Sequence, residues 1–253
     1  MHINVLTLFP SMLRMPFQES IIGKAVKRKI ATINLIDIRD FVIDKHGTTD
    51  DYQYGGDPGM VLKVEPVNQA VNYAKETYTG DTINSVPVVL FSPKGKVFSQ
   101  SMAENLAKLP GMILICGHYT GVDERIAENI ADFEISLGDY VLTGGEPAAL
   151  VVIDSVLRLV PGVVGSKENI ENDSITSGLL QHPIYTRPQE YKTWKVPDVL
   201  LSGDHSKINL WRRKKSLLKT LHSRPELLNK IPLTKEEMLF LKEFGYKSKE
   251  STK

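Results

Sequence analysis

Hydrophobic positions in the first 160 residues alternate between two textures. Short, almost continuously apolar runs at Ile3–Leu8, Ile33–Ile38, Val86–Phe91, Met112–Cys116 and Phe133–Ser136 predict strands. Continuous rather than alternating apolar character marks strands covered on both faces, as in a parallel sheet. Between them, Val67, Ala70, Val71 and Ala74 follow Pro66 at helical spacing, and Gly145–Val160 reads as a long helix closed by Pro161 and Gly162. Strands alternating with helices make this an α/β domain with a largely parallel sheet, over approximately 1–164.

The pattern then breaks. Residues 165–176 are polar and aperiodic and predict an interdomain linker. Beyond it, over 177–253, Asp204 is placed to cap a helix carrying Ile208, Trp211, Leu218 and Leu221. Thr234 and Glu237 have the spacing of a capping box for a last helix that Gly245 ends. The second part is therefore expected to be a small helical domain.

Composition adds the charge asymmetry of these parts. The chain of 253 residues, 42% hydrophobic and 24% charged, is long enough for a full core plus an appendage. Its net charge of +1 hides 15 Lys+Arg against 22 Asp+Glu in residues 1–176, and 16 against 8 in 177–253. A basic appendage on an acidic body points to a polyanion as partner, with a solvated helix face as the plain alternative. The N-terminus has no basic leader, and no apolar run approaches the length of a membrane span, so a cytoplasmic protein without membrane contact is expected. The lone cysteine, Cys116, precludes an intrachain disulfide and reads as an inert core thiol.

Two common nucleotide fingerprints are missing: no Gly-x-Gly-x-x-Gly follows a strand, and there is no phosphate-binding Gly-x-x-x-x-Gly-Lys-Ser/Thr. The six histidines, His2, His46, His118, His182, His205 and His222, lack metal-ligand spacing. Dehydrogenase, P-loop and zinc-hydrolase readings all lose ground. What remains is three glycine-rich turns, at 92–95, 116–121 and 136–146, each directly after a predicted strand. Ligands of parallel sheets bind at the carboxyl ends of strands, where glycine lets bare backbone approach them. Singly, each is an ordinary turn; jointly, the three can wall one pocket.

These turns belong to a longer series of motifs: Asp44-Lys-His46, Asp50-Asp51, Tyr-Gly-Gly-Asp-Pro-Gly-Met at 54–60, Cys-Gly-x-Tyr-x-Gly-Val-Asp-Glu-Arg at 116–125, Gly-Asp-Tyr-Val-Leu-Thr-Gly-Gly-Glu at 138–146, Pro-Gly-Val-Val-Gly at 161–165, Tyr-Thr-Arg-Pro at 185–188 and Val-Leu-Leu-Ser-Gly at 199–203. In this order they closely resemble the bacterial tRNA (guanine-N1-)-methyltransferases of the knotted SPOUT superfamily, from about Ile3 to about Arg224. The resemblance implies a deep trefoil knot that holds S-adenosylmethionine largely by backbone contacts. Carried onto this sequence, the donor pocket comprises Leu90, Phe91, Ser92, Pro93 and Gly95; Gly117, Tyr119, Thr120 and Gly121; and Ser136, Leu137, Gly138, Tyr140, Leu142, Gly144 and Gly145.

It further implies methylation of N1 of the guanine 3′ of the anticodon (position 37), a homodimer with active sites between subunits, a basic C-terminal domain gripping tRNA, and a magnesium requirement for which no ligands are identifiable. Guanine N1 carries a proton at neutral pH, so the reaction needs a general base and is helped by a cation near O6. The resemblance puts these roles on Asp173 and Arg158. By themselves the two residues read as a solvated linker acid and a helix C-terminal charge. The sequence departs from the family pattern at Asp57 (usually Gly), His118 (usually Arg), Thr120 (usually Glu) and Ile184 (usually His). Thr120 matters most, because a carboxylate there would pair with the donor's positive charge. The rival readings are another SPOUT RNA methyltransferase, acting on a ribose 2′-OH or another base, and a tRNA-binding protein that has lost catalysis.

Overall fold

The computed structural model describes residues 1–43, 47–78, 80–165 and 174–247, with 80–82 as backbone alone. The 44–46 motif and Asp173 lie outside the described residues. The chain divides into two compact units, Met1–Gly165 and Ser166–Lys253.

The first unit runs β1 (His2–Thr7), α1 (Pro10–Arg14), α2 (Ser20–Lys27), β2 (Thr32–Asp37), β3 (Asp50–Tyr52), β4 (Met60–Leu62), α3 (Val64–Glu76), β5 (Val88–Val97), α4 (Gln100–Leu106), β6 (Gly111–Ile115), β7 (Gly121–Val122), α5 (Glu124–Asn129), β8 (Phe133–Ser136) and α6 (Glu146–Leu157). Five strands form one wholly parallel sheet in the order β2-β1-β6-β5-β8. The expected strands are all present: β8 has the expected bounds, β1, β2 and β6 lie one residue earlier, and β5 starts later than expected and runs on to Val97.

Burial on both faces explains their composition. Ile3, Val5, Val89, Met112 and Leu114 point into a core shared with α2, α4 and α6, while Leu6, Val88, Leu90, Ile113 and Ile115 point into a second core under α3 and α5. Asn4 is the polar exception in β1: fully buried, it donates to the Ala74 carbonyl (3.1 Å) and Thr77 Oγ1 (2.9 Å) at the end of α3. Its own Oδ1 accepts from Asn34 of β2 at 2.9 Å. A buried amide so satisfied holds the helix to the sheet instead of destabilising it.

A smaller sheet, β3-β4-β7, pairs β4 antiparallel to β3 and parallel to β7. It has no signature in the local pattern, because strands of two or three residues are defined by their distant partners. Through it the 50–62 region is fastened to the glycine turn at 121.

In the second unit a hairpin of β9 (Glu190–Tyr191) and β10 (Trp194–Lys195) precedes α7 (His205–Ser223), α8 (Pro225–Leu228) and α9 (Lys235–Glu243). Asp204 caps α7 by accepting from the Lys207 N–H at 3.1 Å, and the Thr234/Glu237 capping box is formed. The core is Leu179, Leu217, Leu228 and Leu241. The buried stripe of α7 thus runs through Leu217 and Thr220, with Leu218 and Leu221 only half-buried. Thr220 belongs there because its hydroxyl donates to Ser216 O (2.8 Å) and accepts from Leu180 N (2.9 Å).

Cys116 is fully buried at the end of β6, and its thiol is pushed well above the usual range by burial, with the charge of Glu146 adding to the effect. Alkylation by iodoacetamide at pH 8 is expected to be at least about 100-fold slower in the native protein than in urea, since the thiolate forms only when the structure opens. Equal rates would show that the thiol is accessible.

Candidate active site

A cavity of about 480 Å³ opens at the carboxyl ends of β5, β6 and β8, within the size range of small-molecule sites. Three loops wall it. The first is a bulge in β5: Ile135 of β8 is paired opposite Phe91 and again opposite Lys96, so the intervening Ser92–Gly95 arches out of the ladder. Leu90, Phe91, Ser92, Pro93 and Lys94 line the cavity. Gly95 does not. A Cβ there would sit 2.6 Å from the backbone of Glu134 and Ile135, so glycine is required where the bulge rejoins β8.

The second and third loops are pressed backbone to backbone. The Gly145 N–H donates to Gly117 O at 2.8 Å, and His118 bridges Gly144 in antiparallel fashion. A Cβ on Gly145 would lie 2.6 Å from Cys116 Cα, which leaves no room for any side chain. Tyr119 holds a left-handed φ of 63°, a strained conformation of the kind found at binding sites. Ser136 Oγ accepts from the Gly138 N–H at 3.2 Å and starts the third loop as a hydroxyl-stabilised turn. Gly117, Tyr119, Thr120, Gly121, Ser136, Leu137, Gly138, Tyr140, Leu142, Gly144 and Gly145 all line the cavity.

Charged groups complete the wall, one from the first loop and others from α5 and β8. Lys94 Nζ meets Glu124 at 2.7 Å, and that bond raises the lysine's pKa; Glu134 also lines the cavity. Asp123 accepts from the Arg125 N–H (3.0 Å) and pairs with its guanidinium (2.7 Å), which holds the carboxyl below its ordinary range. These two members of the 116–125 motif therefore fix the start of α5. Gln53 and Val61 reach the cavity through the small sheet, a signal no local pattern carries. Thr120 packs its hydroxyl against Gly59 of the neighbouring loop.

Behind the wall, the carboxylate of Glu146 is 1% exposed and Oε1 accepts from the buried Thr7 hydroxyl at 2.6 Å. This ties the end of β1 to the first residue of α6. Its Oε2 and His118 Nδ1 flank Gly144 from the same side, and Nδ1 is buried with no hydrogen-bond partner among the described residues. The His118 ring itself rests on Phe9 (centroids 4.8 Å apart).

Arg158 is not part of this cavity. It is the exposed C-cap of α6, at the opposite end of the helix from Gly145. The assignment made to Asp173 lies outside the described residues.

Thr7→Val removes the donor to Glu146 and leaves a buried carboxylate oxygen unsatisfied, so unfolding by urea is expected to show a loss of about 1–3 kcal/mol. A change below about 0.5 kcal/mol would mean that other donors satisfy Glu146 without the Thr7 hydroxyl.

Known proteins match this chain along nearly its whole length. The family model described as tRNA (Guanine-1)-methyltransferase TrmD matches residues 1–230. A tRNA (guanine-N(1)-)-methyltransferase of Dehalococcoides mccartyi (strain CBDB1) is 51% identical over 237 residues, 94% of each chain. Relatives with the same description from Oceanobacillus iheyensis (50% identical, 95% of this chain and 97% of that one) and Clostridium botulinum strain Hall (49%, 98% and 100%) align similarly. With identity of this extent spanning the strands, the glycine loops and the helical appendage together, the chain belongs to the tRNA (guanine-1)-methyltransferase family.

Proposed function

We propose that the protein is a tRNA (guanine-N1-)-methyltransferase that moves a methyl group from S-adenosylmethionine to N1 of the guanine 3′ of the anticodon, position 37 of tRNA. One observation carries this reading beyond the relatives' names: the three glycine-rich loops converge on one cavity, walled by glycine backbone and apolar side chains with a few charged groups beside them. Its volume suits a nucleoside-sized ligand, and glycine backbone at Gly117 and Gly144, without side chains to hold a ligand off, suits close approach of an adenine and ribose. The residues present therefore fit the donor.

When bound, S-adenosylmethionine supplies an electrophilic methyl on a positively charged sulfur. The chain must do the rest. Asp173 is assigned the removal of the N1 proton, and Arg158 the stabilisation of charge developing at O6. Without a carboxylate at Thr120, the acidic groups at the cavity, Glu124 and Glu134, are the negative charges available to a cationic ligand, although Glu124 also serves Lys94. Among the described residues no group of three His, Cys, Asp or Glu is placed to hold a metal ion, so no step is assigned to magnesium.

The homodimer is part of the proposal. α6 has 12 residues, so about 18 Å of helix separates the Gly145 end, which lines the cavity, from Arg158 at the other. An Arg158 acting on the substrate is more simply supplied to a second copy's cavity than to its own. The contact of the 116–118 and 144–145 segments, without space for a side chain, supports the proposed trefoil knot. Residues 1–164 are assigned to donor binding, 165–176 to a linker and 177–253 to gripping tRNA. No helix among the described residues is long and apolar enough to cross a membrane, and the cytoplasm, where tRNA is modified, is the proposed compartment.

Incubation with S-adenosylmethionine and an unmodified tRNA transcript, followed by nucleoside mapping, is expected to place the methyl on N1 of guanine 37. Methyl on a ribose or another base would replace this reading with a different RNA methyltransferase, and no transfer would leave a binding protein. In the same assay Asp173→Ala is expected to lower turnover by about 100-fold or more with donor affinity retained. Turnover within about threefold of wild type would remove Asp173 from the role of base.

The 212–215 cations are not equivalent. Arg213 Nε pairs with Glu237 of α9 at 2.6 Å, and Lys214 lies 5.1 Å from the Phe240 ring centroid, so both serve the domain's own packing. Arg212 is exposed and makes no ion pair or ring contact among the described residues. Arg212→Gln is expected to lower the slope of log affinity for tRNA against log salt by somewhat under about one unit. An unchanged slope would assign Arg212 to solubility.

A further inference from the structure

The β9–β10 hairpin carries two aromatic side chains that the fold leaves unused. Tyr191 and Trp194 are cross-strand partners, with ring centroids 5.8 Å apart and planes inclined by 48°. They are 56% and 68% exposed. The chain's other tryptophan shows the contrast: Trp211 is half-buried, with His182 and Tyr185 at ring distances of 6.3 and 6.4 Å. Two large rings standing together in water forgo the stabilisation that covering them would give, which marks a surface meant to be covered.

The charges around the pair say by what. Lys192 turns the hairpin with a left-handed φ of 59° and brings Nζ to 5.6 Å from the Tyr191 ring centroid. Lys195 pairs with Glu190 at 3.5 Å. Both rings belong to the segment with 16 basic against 8 acidic residues. An aliphatic partner would gain nothing from lysines interleaved with rings. Unpaired nucleotides would gain twice, from stacking on the rings and from neutralised phosphates. We propose that Tyr191 and Trp194 form a stacking platform for unpaired nucleotides of the tRNA, with Lys192 meeting the adjoining phosphate. The proposal rests on the reading of tRNA as substrate and adds the residues that hold its single-stranded part.

The sequence has two tryptophans, so Trp211→Phe leaves Trp194 as the sole indole emitter. Titrating this variant with unmodified tRNA transcript is expected to quench its fluorescence. Trp194→Ala, in the otherwise native chain, is expected to weaken tRNA affinity by about 5- to 100-fold with an unchanged salt slope, because stacking is lost and no charge is removed. Trp194→Phe should recover most of the affinity. Trp194 is mostly exposed, so the melting temperature of Trp194→Ala should stay close to that of wild type. Affinity of Trp194→Ala within about twofold of wild type would overturn the platform. So would Trp194 emission that responds to protein concentration and not to tRNA, which would assign the pair to a contact between copies of this chain. Methylation of the same transcript by the native protein separates the two levels: its failure would sink the substrate reading, whereas methylation with no effect at Trp194 would sink the platform alone.

Discussion

The site depends on one close approach, that of the backbone at Gly144–Gly145 to the backbone at Cys116–Gly117. With a Gly145 N–H to Gly117 O bond of 2.8 Å and no space for a Cβ, the loops after β6 and β8 behave as one wall. Everything else at the cavity takes its place from that wall. α6 starts where the contact ends, so its apolar face, Ala148, Ala149, Val152, Ile153 and Val156, is delivered to the core under the sheet. The bulge of β5 closes the remaining side because β8, carrying the third loop, is its ladder partner.

Rigidity at this point is reinforced by polar groups that a core would normally exclude. Glu146 is buried one residue beyond the glycine pair, and its bond to Thr7 links the end of β1 to the wall. Burying a carboxylate is costly unless it is hydrogen-bonded, so the bond sets where α6 begins relative to the sheet. His118 Nδ1, on the same side of Gly144, has by contrast no hydrogen-bond partner among the described residues. The His118 ring packs on Phe9, which holds it against the wall.

The division of charge follows a different logic from the division of structure. The acidic unit holds the cavity, while the basic one has a core of four buried leucines and spends part of its positive charge internally, Arg213 on Glu237 and Lys214 over Phe240. Net charge therefore overstates the surface free to meet phosphates. Exposed rings at the hairpin offer a second, largely salt-independent means of holding RNA.

The sequence alone determined the elements whose signal is local. The five strands buried on both faces announced themselves by continuous apolar runs, and the caps at Asp204 and Thr234 by side chains that bond within three residues. The glycine turns at 116–121 and 136–146 could be placed at strand ends, whereas that at 92–95 is a bulge within β5, and the ordered motifs sufficed to identify the family. Tertiary structure decided what depends on distant partners. Gly95, grouped by sequence with the cavity glycines, is needed for its approach to β8, and Leu217, not Leu218, faces the helical core. Gln53, Val61 and the small sheet that brings them to the cavity left no trace in the pattern, because a strand of two or three residues has no periodicity to read and is defined by the chain it pairs with.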